Sequence, residues 1–120
     1  GLAHRIEAGS DLFLMPSRYE PCGLNQLYSM RYGTPPIVRR TGGLADSVVD
    51  INGDAVERGE ATGFVFDEYT PQALGRALDR ALTFWREKPR WRRLVQNGMA
   101  RDFSWKASAR QYERLFREMA

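Results

Sequence analysis

Cysteine and histidine are almost absent: the 120 residues include one of each, Cys22 and His4. A single cysteine excludes an internal disulfide and any multi-cysteine metal site, and it suits a reducing compartment. With one histidine there is no paired Cys/His ligand set either, and His4 reads as a structural or exposed side chain. Long apolar runs are missing, so no transmembrane helix is expected. The opening "GLAHRIEAGS" has neither an initiating Met nor the basic-then-apolar layout of a signal peptide, and the sequence reads as a chain entered midway. Three phosphate and metal signatures are also lacking: the Walker A pattern, the dinucleotide G-x-G-x-x-G and H-E-x-x-H.

What is present is enough for a folded core. Hydrophobic residues make up 42% and aromatics 12%, the balance of a globular protein of one domain at most. Charge is unevenly spread. Residues 1–70 carry six arginines against ten carboxylates, whereas residues 71–120 carry twelve Lys+Arg against five. A basic half can meet an anionic ligand, nucleic acid or a membrane surface. The plainer reading is a solvated, Arg-rich helical face. No nucleic-acid module is recognisable, and no basic run interleaves with aromatics, so neither a nucleic-acid nor a membrane partner is expected.

Strands and helices alternate along the chain. Residues 3–8 look like the end of a helix stopped at Gly9. "DLFLMP" (11–16) reads as a buried strand, followed by a loop to Gly23. From Leu24 the apolar spacing turns helical, through Leu27, Tyr28 and Met30, and Gly33 closes the helix. "PPIVRR" (35–40) is a second strand with its prolines at the entry, and Gly42–Gly43 turn into a short helix over 44–50. Residues 51–62 read as a polar surface loop and "GFVF" (63–66) as a third strand. Thr70–Pro71 is an N-cap and first-turn pair for a helix with a Leu74, Leu78, Leu82 and Trp85 stripe. Pro89 starts another helix, reaching about Arg101. Ser104 caps a last one, with Trp105, Ala109, Tyr112, Phe116 and Met119 aligned. Trp85, Trp91 and Trp105 read as core.

This alternation predicts an α/β fold with a parallel sheet. Three strands are few for such a sheet, so the chain is expected to be the C-terminal part of a larger α/β domain. In an open parallel sheet, ligands sit at the carboxyl ends of the strands. Two strand-to-helix turns there carry unusual residues, "SRYEPCGLNQ" and "RTGGLAD". Their glycines allow close backbone approach, and each turn leads to a helix N-terminus that favours phosphate or hydroxyl oxygens. Glu20 has two readings: a helix cap, or an ionised carboxylate that accepts sugar hydroxyls and stabilises positive charge developing at a sugar carbon. Cys22 reads as a small packed residue rather than a thiolate nucleophile. Arg39 and Arg40, if both lie in the strand, point to opposite faces.

The stretch "DLFLMPSRYEPCGLNQLYSMRYGTPPIVRRTGGLADSV" (11–48) closely resembles bacterial glycogen synthases and plant starch synthases. The likeness continues through "ATGFVFDEYTPQAL" and "DFSWKASARQYERLF". It implies a retaining glycosyltransferase of the GT-B architecture, in which two Rossmann-like domains face each other across a cleft. The chain would be the C-terminal portion of the nucleotide-sugar-binding domain: a partial Rossmann-like parallel sheet with flanking helices. The implied reaction transfers glucose from ADP-glucose to the non-reducing end of an α-1,4-glucan. ADP-glucose is a substrate, no cofactor and no metal are implied, and the location is cytoplasmic.

By the same resemblance Glu20 is the active-site glutamate at the donor glucose. Cys22, Gly23 and Leu24 line the donor sugar, and Thr41, Gly42 and Gly43 approach its phosphates. Many retaining enzymes of this architecture carry a second glutamate eight residues after the first, near the ribose. Here that position is Tyr28, which leaves the ribose contact without a residue. The other expected partner is the N-terminal domain, with its Lys-containing "TGGL" loop and acceptor surface. Without it the chain alone is expected to be inactive. Another retaining nucleotide-sugar transferase and a non-catalytic binding module are the alternatives.

Overall fold

The computed structural model describes residues 2, 9–15, 25–41, 47–101 and 105–119. The helix end expected over 3–8, the Ser104 cap, the side chain of Trp105 and residues 44–46 of the helix expected over 44–50 lie outside the described residues; of the rest of that helix, Val48 and Val49 are not helical. Three strands, β1 (Phe13–Met15), β2 (Pro36–Arg39) and β3 (Phe64–Phe66), form one parallel sheet in the order β1-β2-β3. Phe13 lies beside Pro36 and Met15 beside Val38, while Ile37 lies beside Phe64 and Arg39 beside Phe66. Helix α1 (Asn25–Arg31) joins β1 to β2. Helices α2 (Pro71–Trp85), α3 (Lys88–Met99) and α4 (Trp105–Met119) follow β3. The α/β class read from the sequence is the observed one.

Successive strand residues point to opposite faces, which gives the sheet two cores. On the first face Ile37, Phe64 and Phe66 meet α2 and α3. On the second, Val38, Val65 and Met15 meet Met30 of α1 and Val48. Leu14 shares the first face with Ile37 by register, yet it is 43% exposed.

Local chemistry explains the helix ends. Gly33 adopts φ +79°, a left-handed conformation that costs a glycine nothing. With it, the Gly33 N–H reaches the Met30 carbonyl and the Thr34 N–H reaches the Ser29 carbonyl, closing α1 in a Schellman motif. Thr70 caps α2 by accepting the Ala73 N–H at 3.1 Å. The leucine stripe expected on α2 is rotated from the buried face. Ala73, Ala77, Ala81 and Phe84 face the sheet, Leu74, Leu78 and Trp85 flank them, and Leu82 is 50% exposed. Alanines let the helix backbone approach the aromatic residues of β3, so residue volume rather than hydrophobicity selects the buried face.

The 51–62 segment is not the surface loop its composition suggests. Ala55, Val56, Ala61 and Thr62 are buried, and the segment closes one end of the first core. The Asn97 side chain donates to the Val56 carbonyl at 3.0 Å, binding α3 to it. Just before the segment, Asp50 pairs with Gly63 in an isolated parallel bridge rather than ending a helix. A Cβ at Gly63 would stand 2.5 Å from the Pro36 carbonyl oxygen, so this position admits only glycine. The Asp50 carboxylate accepts the Val65 N–H at 2.8 Å and takes Arg80 bidentately at 2.9 and 2.5 Å. It thereby occupies a backbone donor on the margin of β3.

Of the stripe expected on the last helix, Phe116 and Met119 are exposed, and the side chains of Trp105, Ala109 and Tyr112 lie outside the described residues. Among the described residues, no helix is long and apolar enough to cross a membrane.

Candidate functional site

Because the strands are parallel, Met15, Arg39 and Phe66 bring their carboxyl ends to one edge of the sheet, where open α/β sheets bind ligands. Three connections leave that edge, one from each strand. Of the residues singled out by sequence, Glu20, Cys22, Gly23, Leu24, Gly42 and Gly43 lie outside the described residues. Thr41 is described: it follows Arg40 just past the end of β2 and is half-buried. The segments that leave the two glycine turns are described on their far sides, where α1 begins at Asn25 and the chain resumes at Ser47.

Those far sides are joined. The Gln26 carboxamide, 1% exposed, donates through Nε2 to the hydroxyl of Ser47, 9% exposed, at 3.1 Å. Sequence reading missed both residues. The buried positions of α1 are Gln26, Ser29 and Met30, at helical spacing, but two of the three are polar, so an apolar pattern passes over them. Ser29 is itself satisfied by the Gln26 carbonyl at 3.2 Å. Tyr28, where the wider pattern would place a glutamate, is 40% exposed.

The alternation expected if Arg39 and Arg40 both lay in the strand does not apply to them. Strand β2 ends at Arg39, so Arg40 is free of the pleat, and both guanidinium groups converge on Asp67 beyond β3. Arg39 Nε donates to the Asp67 carbonyl at 3.1 Å, and Arg40 Nε donates to the Asp67 carboxylate at 2.7 Å. The Arg39 guanidinium also stands 5.4 Å from the centre of the exposed Tyr69 ring. The third turn is thus tied to the second by arginine.

A separate open cleft of about 350 Å³ runs between β3 and α2, lined by Val65, Asp67, Glu68, Arg76 and Arg80 among others. Thr41 is not among its lining residues. Among the described residues, shifted pKa values occur on the 51–62 segment and α3. The hydrogen bond from Arg90 lowers the Glu57 carboxyl, and Glu57 in turn raises Arg90. Among the described residues, no group of three or more His, Cys, Asp or Glu could hold a metal ion.

Comparison with known proteins places this geometry. The family model of glycosyl transferases group 1 matches residues 3–100. A glycogen synthase of Aromatoleum aromaticum is 65% identical over 96% of the chain, and one of Anaeromyxobacter sp. (strain K) is 64% identical over all of it. The chain spans only 23% and 24% of the lengths of these two relatives. Among solved structures, the catalytic domain of starch synthase IV from Arabidopsis thaliana, bound to ADP and acarbose, matches with a TM-score of 0.84 at 47% identity. That match covers 98% of this chain and 24% of the other. A sucrose-phosphate synthase from Thermosynechococcus elongatus matches with a TM-score of 0.67 at 31% identity, covering 95% and 26%. The partial Rossmann-like sheet is that of the GT-B architecture.

Proposed function

The chain belongs to the glycosyl transferases of group 1, and from that premise we propose that it forms the C-terminal portion of the nucleotide-sugar-binding domain of a glycogen synthase. The observation that carries this reading is the 65% identity to a glycogen synthase over 96% of the chain. The exposure of Leu14 on a face that parallel sheets ordinarily cover supports a larger domain around β1. The enzyme transfers glucose from ADP-glucose to the non-reducing end of an α-1,4-glucan, retaining the anomeric configuration. The sugar–diphosphate bond breaks and a bond to a glucan hydroxyl forms. Glu20 is the catalytic carboxylate, lying against the donor glucose and stabilising the positive charge that develops at its anomeric carbon. Cys22, Gly23 and Leu24 form the wall of the sugar site. The backbone of Thr41, Gly42 and Gly43 approaches the diphosphate. The reaction takes no metal and no cofactor, and the enzyme works in the cytoplasm with neither membrane nor nucleic acid as partner.

A chimera tests this: the Aromatoleum aromaticum glycogen synthase with its matching segment replaced by these 120 residues. The chimera should release ADP from ADP-glucose and glycogen, faster than UDP from UDP-glucose, while the 120-residue chain alone releases none. Glu20→Gln in the chimera should lower kcat about a hundredfold or more with KM for the donor little changed. A folded chimera inert with both donors would refute the reading. Preference for UDP-glucose would favour another retaining nucleotide-sugar transferase. An undiminished Glu20→Gln would return Glu20 to a capping role.

A further inference from the structure

We infer that Gln26 and Ser47 are positioning residues that set the spacing between the two ligand-gripping turns, an inference that rests on the function proposed above. Both stand where such a role requires. Gln26 lies in the first turn of α1, two residues past Leu24, and Ser47 lies four residues past Gly43. Their side chains meet at 3.1 Å in the interior, bridging 21 residues of sequence. The bond therefore joins the segment leaving the sugar-site turn to the segment leaving the phosphate turn.

The rest of α1 shows why its first turn needs this link. The far end of the helix is anchored by the Gly33 closure, by Thr34 Oγ1 donating to the Ser10 carbonyl at 3.0 Å, and by Met30 lying against Gly98 of α3. The end nearest the site is held to its neighbour by Gln26. Next to the pair in sequence, Leu27 and Val48 belong to the second apolar core with Met30. Apolar contact is non-directional and tolerates sliding, whereas a hydrogen bond fixes distance and angle.

Replacing such a pair with apolar groups of the same shape is nearly neutral for stability. Stability alone therefore gives little reason for a carboxamide and a hydroxyl here. Both groups are also uncharged, so the link adds no field beside a diphosphate or a catalytic carboxylate. An ion pair would add one. The reaction needs the donor's anomeric carbon held against Glu20 while its phosphates are held by the second turn. A misplacement of about 1 Å between such groups costs up to about a hundredfold in rate.

The test compares Gln26→Met, Ser47→Ala, their combination and Ser47→Thr in the chimera. Gln26→Met and Ser47→Ala should each lower kcat/KM for the donor about tenfold or more, and their combination, which leaves neither partner stranded, should keep a thermal midpoint close to that of the unaltered chimera. The double variant should be no worse than the worse single one, and Ser47→Thr, which keeps the hydroxyl, should restore most of the rate. Loss of thermal midpoint with unchanged kcat and KM in the folded protein would overturn the proposal, as would additive losses or no loss. An inert unaltered chimera would instead sink the function reading.

The link itself can be read on the 120-residue chain without any turnover. The Gln26 side-chain amide should give a slowly exchanging NMR signal that turns fast in Ser47→Ala. Fast exchange already present in the unaltered chain would remove the link, and the proposal with it.

Discussion

On one face of the sheet, Phe64, Phe84 and Trp91 form an aromatic triangle with ring centres 5.9 to 6.3 Å apart, backed by Ile37, Val56 and Leu94. On the other, a smaller group of Met15, Met30, Val38, Val48 and Val65 shares its interior with Gln26 and Ser47. The first face gains its stability from buried area, which accumulates without regard to direction. The second adds a directed hydrogen bond between Gln26 and Ser47, two residues that follow in sequence the stretches that the family resemblance assigns to the donor. One face therefore carries most of the folding free energy, and the other holds geometry.

Three measurements would break or sharpen that contrast. The largest effect is expected from Phe64→Ala, which empties the centre of the aromatic triangle and should cost about 3–5 kcal/mol in urea unfolding. Gln26→Met combined with Ser47→Ala, measured in the same way, should cost no more than about 1 kcal/mol. Comparable losses from the two would erase the distinction between the faces.

A middle effect is expected where the margin of β3 meets α2. Asp50→Asn keeps an acceptor for the Val65 N–H but removes the charge opposite Arg80. The Asp50 side chain is 8% exposed, but Arg80 is partly open to solvent, so the loss should be about 1–2 kcal/mol. An unchanged unfolding midpoint would show that shape alone closes this margin.

The smallest effect belongs to Glu57, which is exposed. Arg90 donates a hydrogen bond at 2.6 Å and holds the carboxyl below its ordinary range. A carboxyl lowered by folding stabilises the fold above its unfolded pKa, and that contribution is lost as pH falls through the lowered value. Glu57→Gln should therefore slightly flatten the acid limb of the stability curve. Superimposable acid limbs for the two proteins would contradict the direction assigned to Glu57.

Much of the fold was legible because local rules agree with the tertiary outcome. Gly33 closes α1, Thr70 caps α2 and Pro89 lies in the first turn of α3, each at its expected place, since these effects act over a few residues of backbone. The misses share a cause in long-range packing. The buried face of α2 follows the room left by Phe64 and Phe66, which brings Ala73, Ala77 and Ala81 inward and leaves Leu82 outside. The 51–62 segment reads as polar, yet Val56 and Ala61 plug a core assembled from strands and helices distant in sequence. At the site, the resemblance in "EPCGLNQ" and "RTGGLADSV" supplied the assigned residues. The Gln26–Ser47 link was invisible because two polar residues 21 positions apart carry no periodic signal. For Arg39 and Arg40 the expectation depended on both lying in the strand, and β2 ends at Arg39.

By itself, the sequence determined the three strands, the helices that follow β1 and β3, the Gly33 closure and the Thr70 cap, because each depends on backbone preferences expressed by neighbouring residues. Tertiary structure alone decided which helix face is buried, how Asp50 closes the margin of β3, and that Gln26 reaches Ser47. Those outcomes depend on the volume and direction of groups brought together only when the sheet assembles.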